Sequence, residues 1–504
     1  MTGYFPFQGA GTDTDRLNDI INNGSLSILS NLRVLEKQIS KFKSSDKLKW
    51  ILIGEAYYEG EQDILKRKRK IIGKGGRLEV AENLPNNKNL DNQYAKLVDQ
   101  KVNFQLGKPL TIETKNEAYL KLLQDIFNKR FHRTFRNVGY DALNAGIAWL
   151  FPHYNEQGEF TFKRFPSYEI LPFWKDAEHT VLDYAVRMYA VSGYQGDKEV
   201  ITEKVEIYST EGVKRFVWFN GQLVADVENP SAPYLVVVDD EGNEMGMNWQ
   251  RVPLVPFKFN SKEIPLIKRV KSLQDGINTM LSDFENNMQE DARNTILVLH
   301  NYDGQDLGQF RRNLAQYGAV KVRSGDGQKG GVETLTIEVN ADNYKAILSL
   351  FKKALIENGR GYDAKDERMA NNPNQMNIQS MYSDIELDAN GIETEFQASF
   401  EELLWFINHH LANTGQGNFE GEKVDIIFNR DVLINEKEVV ETLGKSPYLS
   451  EETKIAQHPY VKDVQLELQR KKKEQQEQMD MMDNYETTFN KKLNGGDSND
   501  KEIT

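Results

Sequence analysis

Residues 265–291 read PLIKRVKSLQDGINTMLSDFENNMQED, and this stretch decides the fold. Proline suits the first position of a helix, where its missing N–H is no loss. Leu266, Val270, Leu273, Ile277, Met280, Phe284 and Met288 then recur at intervals of three and four, which puts them on one helical face. The stripe is narrow, closer to a coiled-coil seam than to a broad globular face. About 26 residues of helix span ~40 Å. The charges on it are inverted. Lys262, Lys268, Arg269 and Lys271 crowd the start, while Asp283, Glu285, Glu290 and Asp291 crowd the end. Each exposed charge so placed costs roughly 0.3–1 kcal/mol against the helix dipole, so compensating partners are expected. One reading pairs Lys345 with Asp291 and Glu357 with Lys268 from a second, antiparallel helix. The other makes Lys268, Arg269 and Lys271 a basic band facing a polyanion.

Toward the C-terminus, residues 293–340 turn strand-like at Ile296–Leu299, Val320–Val322 and Leu335–Val339, with a helical piece at Leu307–Leu314 and a glycine-rich loop from Ser324 to Gly331. A helix over 342–358 carries Tyr344, Ile347, Leu348, Phe351 and Leu355 on one side and ends at Gly359 and Gly361. After a polar stretch containing Pro373, the segment Ile378, Tyr382, Ile385, Ala389, Ile392, Phe396, Phe400, Leu403, Ile407 and Leu411 predicts a helix of roughly 50 Å. A strand at Val424–Phe428, helices near 435–443, 450–457 and 461–480, and a tail of disordered composition follow. The narrow seam at 266–288 and the long helix at 378–412 predict too little burial within one chain, hence an oligomer.

Toward the N-terminus, residues 1–60 read as helical and 61–90 as a charged, glycine-rich loop closed by Pro85-Asn86-Asn87. A helix from Tyr94 to Phe104 stops at Gly107-Lys108-Pro109. Another is expected over 117–150, ending at Phe151-Pro152. Runs at Phe160–Phe165, Tyr184–Val191, Val205–Tyr208, Arg215–Phe219 and Tyr234–Val238 predict one antiparallel sheet. Trp249–Phe259, with Pro253 and Pro256, reads as an extended connector. Helices and strands segregated in this way make the class α+β.

The chain has 504 residues, is 39% hydrophobic and 28% charged, and contains no cysteine. Its length allows roughly two to four domains. Disulfides and thiolate metal sites are excluded, and an intracellular or cytoplasm-assembled protein is favoured. No run approaches the ~18 apolar residues a bilayer span requires, and Met1–Ala10 lack the features of a signal peptide. The net charge of −13 is the wrong sign for a tight grip on phosphates. It fits weak handling of DNA, or plain solubility. The phosphate cradle of an ATPase is missing: Gly73-Lys74-Gly75-Gly76 has neither its spacing nor its Ser/Thr. The histidines are scattered, His409 and His410 point apart on a helix, and neither H-E-x-x-H nor G-x-S-x-G occurs. No catalytic constellation emerges, and no metal or cofactor is expected. The basic run Lys66-Arg67-Lys68-Arg69-Lys70 could touch nucleic acid or form a solvated face.

Several strings share an order. Tyr57-Tyr58-Glu59-Gly60 precedes Asp63-Ile64, and Leu97-Val98-Asp99-Gln100-Lys101 leads to Gly107-Lys108-Pro109. Arg251-Val252-Pro253-Leu254-Val255-Pro256-Phe257 enters the seam helix, followed by Asn301-Tyr302-Asp303-Gly304, Ser324-Gly325-Asp326-Gly327 and Asn413-Thr414-Gly415. Over about residues 50–470 this order resembles the portal proteins of tailed phages, most of all siphovirus-type phages of Gram-positive hosts. Two features depart from the family: the stretch after Gly361 is rich in charge and asparagine, and the tail is short and only mildly acidic. The resemblance implies a portal fold: a wing (1–260), stem helix (261–291), clip (292–340), second stem helix (341–360), tunnel loop (361–377), long wing helix with returning strand (378–430), crown (431–480) and tail (481–504). It implies a ring of twelve at a virion vertex, through which double-stranded DNA passes, with terminase large subunit, head-to-tail connector, scaffold and major capsid proteins as partners. It also implies a DNA-facing loop of Asp363, Lys365, Asp366, Glu367, Arg368, Asn371 and Asn372. The clip surface of Asn301, Tyr302, Asp303, Arg311, Arg312 and Arg323 would dock partners. Two competing readings are a coiled-coil structural or scaffolding protein, which needs the 378–412 helix to pair as a dimer, and a nucleic-acid-processing enzyme.

Overall fold

The computed structural model describes residues 31–72, 76–82, 84–238, 242–291, 296–300, 331–335, 341–363, 375–430, 436–461, 464 and 467–477. Among the described residues, helices and antiparallel strands both occur in quantity, in agreement with the α+β expectation. Two compact units divide the chain. The first runs up to Asp363 and again from Asp384 to Asp431; the second comprises Ala364–Ser383 and the chain from Val432.

The first unit begins with α1 (Leu32–Lys43) and α2 (Asp46–Glu59). The Ser45 hydroxyl caps α2 by accepting from the Leu48 N–H, and Gly60, at φ 90°, closes it. The stretch expected as a loop holds a 3₁₀ turn at Asp63–Lys66 and a hairpin of β1 (Lys70–Ile72) with β2 (Leu78–Val80). Then come α3 (Gln93–Leu106), β3 (Thr111–Glu113), α4 (Glu117–Ile126) and α5 (Lys129–Ala145). The single helix expected over 117–150 is thus two helices and a strand. Asn128 caps α5 by accepting from the Arg130 and Phe131 N–H groups, and Gly146, at φ 86°, ends it. Ile147, Ala148, Trp149 and Leu150 follow as β4 (Ile147–Tyr154), buried at consecutive positions. A strand covered on both faces shows no alternation, so it reads like the end of a buried helix.

The one sheet expected between 159 and 239 is three. β4 sits between β5 (Phe160–Phe165) and, further along the chain, β13 (Val255–Lys258), with Trp149 opposite Phe165 and Ala148 opposite Phe257. A five-stranded antiparallel meander joins β6 (Ile170–Trp174), β7 (Leu182–Gln195), β8 (Lys198–Ser209), β9 (Gly212–Phe219) and β10 (Gln222–Ala225). β11 (Leu235–Val238) and β12 (Glu244–Met247) pair alone. The connector expected at 249–259 therefore supplies a central-sheet strand, and its Pro256 sits opposite Trp149.

α6 (Ile267–Asp291) is the seam helix, β14 (Ile296–His300) pairs antiparallel with β15 (Gly331–Leu335), and α7 (Ala341–Asn358) returns along α6. The Phe284 and Tyr344 rings lie 5.1 Å apart, and Phe351 packs over Gly276, which fixes the antiparallel direction. Of the strand expected at Leu335–Val339, Leu335 belongs to β15 and 336–339 fall outside the described residues. The expectations at 301–330, Val320–Val322 among them, fall outside the described residues.

α8 (Gln375–Asn413) has 39 residues, ~58 Å at 1.5 Å per residue. All ten residues of its predicted seam are buried, none more than 7% exposed. The expected shortage of burial is therefore corrected for this helix, and this stripe is not left free to pair as a simple dimer. The α6 seam differs along its length: Leu266, Val270 and Ile277 are fully buried, while Met288 is 54% exposed. The first unit's core centres on Phe135 of α5, Phe257 of β13 and Phe396 and Phe400 of α8, with ring centroids 5.1–5.7 Å apart. β16 (Asp425–Ile427) pairs with β3. In the second unit, α9 (Glu436–Gly444) and α10 (Glu451–Ala456) follow the sequence reading closely.

A second stripe on α6 is polar. Gln274, Asn278, Ser282 and Asn286 recur every fourth residue and are each at most 1% exposed. They accept the backbone N–H groups of Tyr94 (2.9 Å), Asp91 (2.9 Å), Asn89 (2.9 Å) and Asn87 (2.8 Å) in antiparallel order. A strap over 87–92 without a β partner, together with the first turn of α3, thus satisfies its buried donors on a helix face.

Candidate functional site

Of the residues expected to act, Lys365, Asp366, Glu367, Arg368, Asn371 and Asn372, with Asn301, Tyr302, Asp303, Arg311, Arg312 and Arg323, lie outside the described residues. Asp363 and the basic band are described.

The band is largely neutralised within the chain. Lys271 is held between Asp63 (2.6 Å) and Asp275 (2.8 Å), above the Tyr57 ring. Burial opposes its charge, yet these partners outweigh it and hold the ammonium above its usual range. Arg269 pairs with Asp388 at 3.2 Å and covers Phe259, and Lys268 lies over Trp50. At the acidic end, Arg67 pairs with Asp283 at 2.6 Å, and the Asn89 amide donates to Glu285. The inverted charges at Arg269, Lys271, Asp283 and Glu285 are therefore compensated. Among the described residues Glu357 meets Lys353 of its own helix at 4.0 Å and not Lys268, while the Asp291 side chain expected to meet Lys345 lies outside the described residues. Arg67 shows that part of the basic run 66–70 is also spent internally.

One cluster was not read from the sequence. Lys101, on α3, is 2% exposed and donates to Asp388 of α8 at 2.7 Å. Arg269 and Arg360 reach the other Asp388 oxygen at 3.2 and 3.4 Å. Three cations thus share one carboxylate. Burial pushes the Asp388 carboxyl up, but Lys101 and Arg269 pull it below its usual range. Burial brings the Lys101 ammonium down to about 8, with Asp388 pulling back. The 2.7 Å contact between them, with two guanidinium groups on the second oxygen, favours the ionised carboxylate.

The same α3 turn grips the chain just after α7. Lys101 donates to the Arg360 carbonyl at 3.0 Å. The Gln100 side chain donates to the Tyr362 carbonyl at 2.8 Å and accepts the Tyr362 N–H at 2.9 Å, as a β partner would. Gly359 and Gly361 press on Leu97, where a Cβ would collide. Arg360 takes the left-handed conformation at φ 52°, a cost the surrounding contacts must offset. Next to Lys101, both amide atoms of the buried Gln105 are unpartnered, beside a cavity of about 10 Å³, room for about one water. The sequence did carry a signal. Asp388 and Lys101 each interrupt an apolar stripe, at positions where a charge needs a buried partner.

Among the described residues no group of three or more His, Cys, Asp or Glu could hold a metal ion, and no helix is long and apolar enough to cross a membrane. A family model described as phage portal protein, SPP1 Gp6-like, matches residues 43–481. The portal protein of Bacillus phage SPP1 is 28% identical over 481 residues, covering 94% of this chain and 92% of that protein. The portal protein of Clostridium phage phiCD119 is 27% identical over 439 residues, covering 82% and 90%. A chain from the neck of a native GTA particle, computed with C12 symmetry, aligns at a TM-score of 0.36 and 13% identity over 72% of this chain and 88% of that one. That score carries no argument about shape. The match over most of the chain decides the matter: this chain belongs to the SPP1 Gp6-like phage portal proteins, structural components of the virion and not enzymes.

Proposed function

We propose that twelve copies of this chain form the closed ring of the portal vertex, through which double-stranded DNA is packaged into the capsid and later ejected. Heterologous head-to-tail contacts close such a ring. The observation that carries this reading is the family match across residues 43–481. In it, residues 1–260 form the wing, α6 and α7 the stem, 292–340 the clip, 361–377 the tunnel loop, 378–430 the long wing helix and its strand, and 431–480 the crown. The clip, with Asn301, Tyr302, Asp303, Arg311, Arg312 and Arg323, docks the terminase large subunit and the head-to-tail connector. Scaffold and major capsid proteins are the assembly partners in the host cytoplasm.

The electrostatics support a conduit over a grip. The net charge is −13 per chain, and Arg269 and Lys271 are bound to carboxylates. A channel must let DNA slide, and a negative net charge with two of the band's three cations already paired means weak phosphate binding. DNA contact is left to the segment of Asp363, Lys365, Asp366, Glu367, Arg368, Asn371 and Asn372, where mixed charges allow only transient contact; Lys268 of the basic band adds to it. Lys365→Glu with Arg368→Glu, and separately deletion of 365–374, test this. Both variants are expected to form rings and procapsids of normal size, with DNA packaging or retention reduced, more so by the deletion. Full-length packaging and stable DNA-filled heads in both contradict the assignment.

A further inference from the structure

The first unit's chain leaves at Asp363 and returns at Asp384. Arg360 stands three residues before the exit, and Asp388 four residues after the return. Their side chains meet at 3.4 Å. Lys101, between them on α3, binds both at once, the Asp388 carboxylate through its ammonium and the Arg360 carbonyl through the same nitrogen. Gln100 adds the two bonds to Tyr362. The helix beyond Asp388 is anchored by Ile392, Phe396 and Phe400 in the core. α3 is therefore a fixed post to which both ends of the excursion are tied.

We propose that Lys101, Arg360 and Asp388 are a positioning clamp that fixes where the segment 364–383 begins and ends, and so where its DNA-facing part is presented. The second half of this statement rests on the tunnel-loop reading above; the first does not. The charge count explains why a carboxylate sits at the centre. Removing Asp388 leaves three cations facing one another, one of them buried, so the tie turns into repulsion. Removing the Arg360 side chain loosens one end only. Asparagine tolerates the left-handed conformation at that position, so Arg360→Asn tests the side chain with little disturbance of the backbone.

The test uses full-length assembled protein and limited trypsin digestion. Cutting after Lys365 and Arg368 is read by mass spectrometry as a ratio to cutting after Lys198, an exposed residue opening β8. General destabilisation raises both rates and leaves the ratio alone. Asp388→Asn is expected to raise the ratio about tenfold, as loss of ~1.4 kcal/mol of restraint does. Arg360→Asn should raise it less, and Asp388→Glu should keep it near the wild-type value. An unchanged ratio in both Asp388→Asn and Arg360→Asn overturns the clamp, whatever packaging does. If Asp388→Asn fails to assemble, Arg360→Asn decides alone. A raised ratio with normal DNA packaging upholds the clamp and contradicts the DNA-facing reading of the segment.

Discussion

Asn278→Ala probes the polar stripe of α6 at its most connected point. Asn278 is fully buried and makes three side-chain hydrogen bonds. It accepts the Asp91 N–H at 2.9 Å and the Gln274 amide at 3.2 Å, and donates to Gln62 at 2.5 Å. Gln62 is fully buried as well and keeps only its bonds to the Tyr57 carbonyl and Asn92. Each bond contributes about 0.5–1.5 kcal/mol, and a buried group left unpaired costs about 1–3 kcal/mol. Some of this is recovered by water entering the space. The expected loss is about 2–4 kcal/mol, which would shift the unfolding midpoint visibly. Ser282→Ala removes the acceptor for the Asn89 N–H and the hydroxyl's own bond to the Asn278 carbonyl and should cost about 1–2 kcal/mol. Thr279→Ala, on the exposed face between them, should stay within about 0.5 kcal/mol. Guanidinium unfolding by circular dichroism at one fixed protein concentration measures all three, since assembly makes stability concentration-dependent. If Asn278→Ala lies within about 0.5 kcal/mol of wild type, the strap is not held by this stripe and the reasoning fails.

Glu55→Gln should raise the melting temperature at pH 8 and much less at pH 5. Burial, then the neighbouring Asp141 and Glu59, push the Glu55 carboxyl up to about 7, against the pull of Arg164. The folded state therefore prefers the protonated acid. Its contribution is complete below about pH 4.5 and is lost as pH rises through about 7. A permanently neutral glutamine escapes that loss, and a gap that does not change with pH contradicts the assignment. Gly54→Ala and Gly276→Ala should differ in severity. A Cβ at Gly54 meets the Asn144 carbonyl, backbone that cannot turn aside, whereas at Gly276 it meets the Phe351 ring edge at 2.7 Å. Overpacking costs about 1–3 kcal/mol, more where nothing yields. Gly54→Ala should sharply reduce soluble yield while Gly276→Ala folds with a modest loss, and the reverse order refutes this.

Regular elements with an apolar period were legible in the sequence. α3, α6, α7 and α8 stand within a few residues of their expected bounds because their apolar stripes are long. β4 was not legible, since Ile147–Leu150 is buried on both faces and lacks the strand's alternation. The connector's prolines hid β13, although Val255 and Phe257 are fully buried. The site was legible in kind but not in partners. Lys268, Arg269 and Lys271 stood out as a charge inversion; Lys271 has one local partner, Asp275, but the other counter-ions, Asp63 of Lys271 and Asp388 of Arg269, lie more than a hundred residues away. No local pattern encodes such pairs. What could have been read is the anomaly itself: Asp388 on an apolar stripe, Lys101 among Leu97, Val98 and Val102, and four polar residues in step along α6.

Subunit arrangement tests the central claim most directly. Electron micrographs of purified full-length protein, viewed end-on, should show closed rings of about twelve subunits around an open channel, as head-to-tail contacts require. Folded monomers or simple dimers at micromolar concentration would contradict the account.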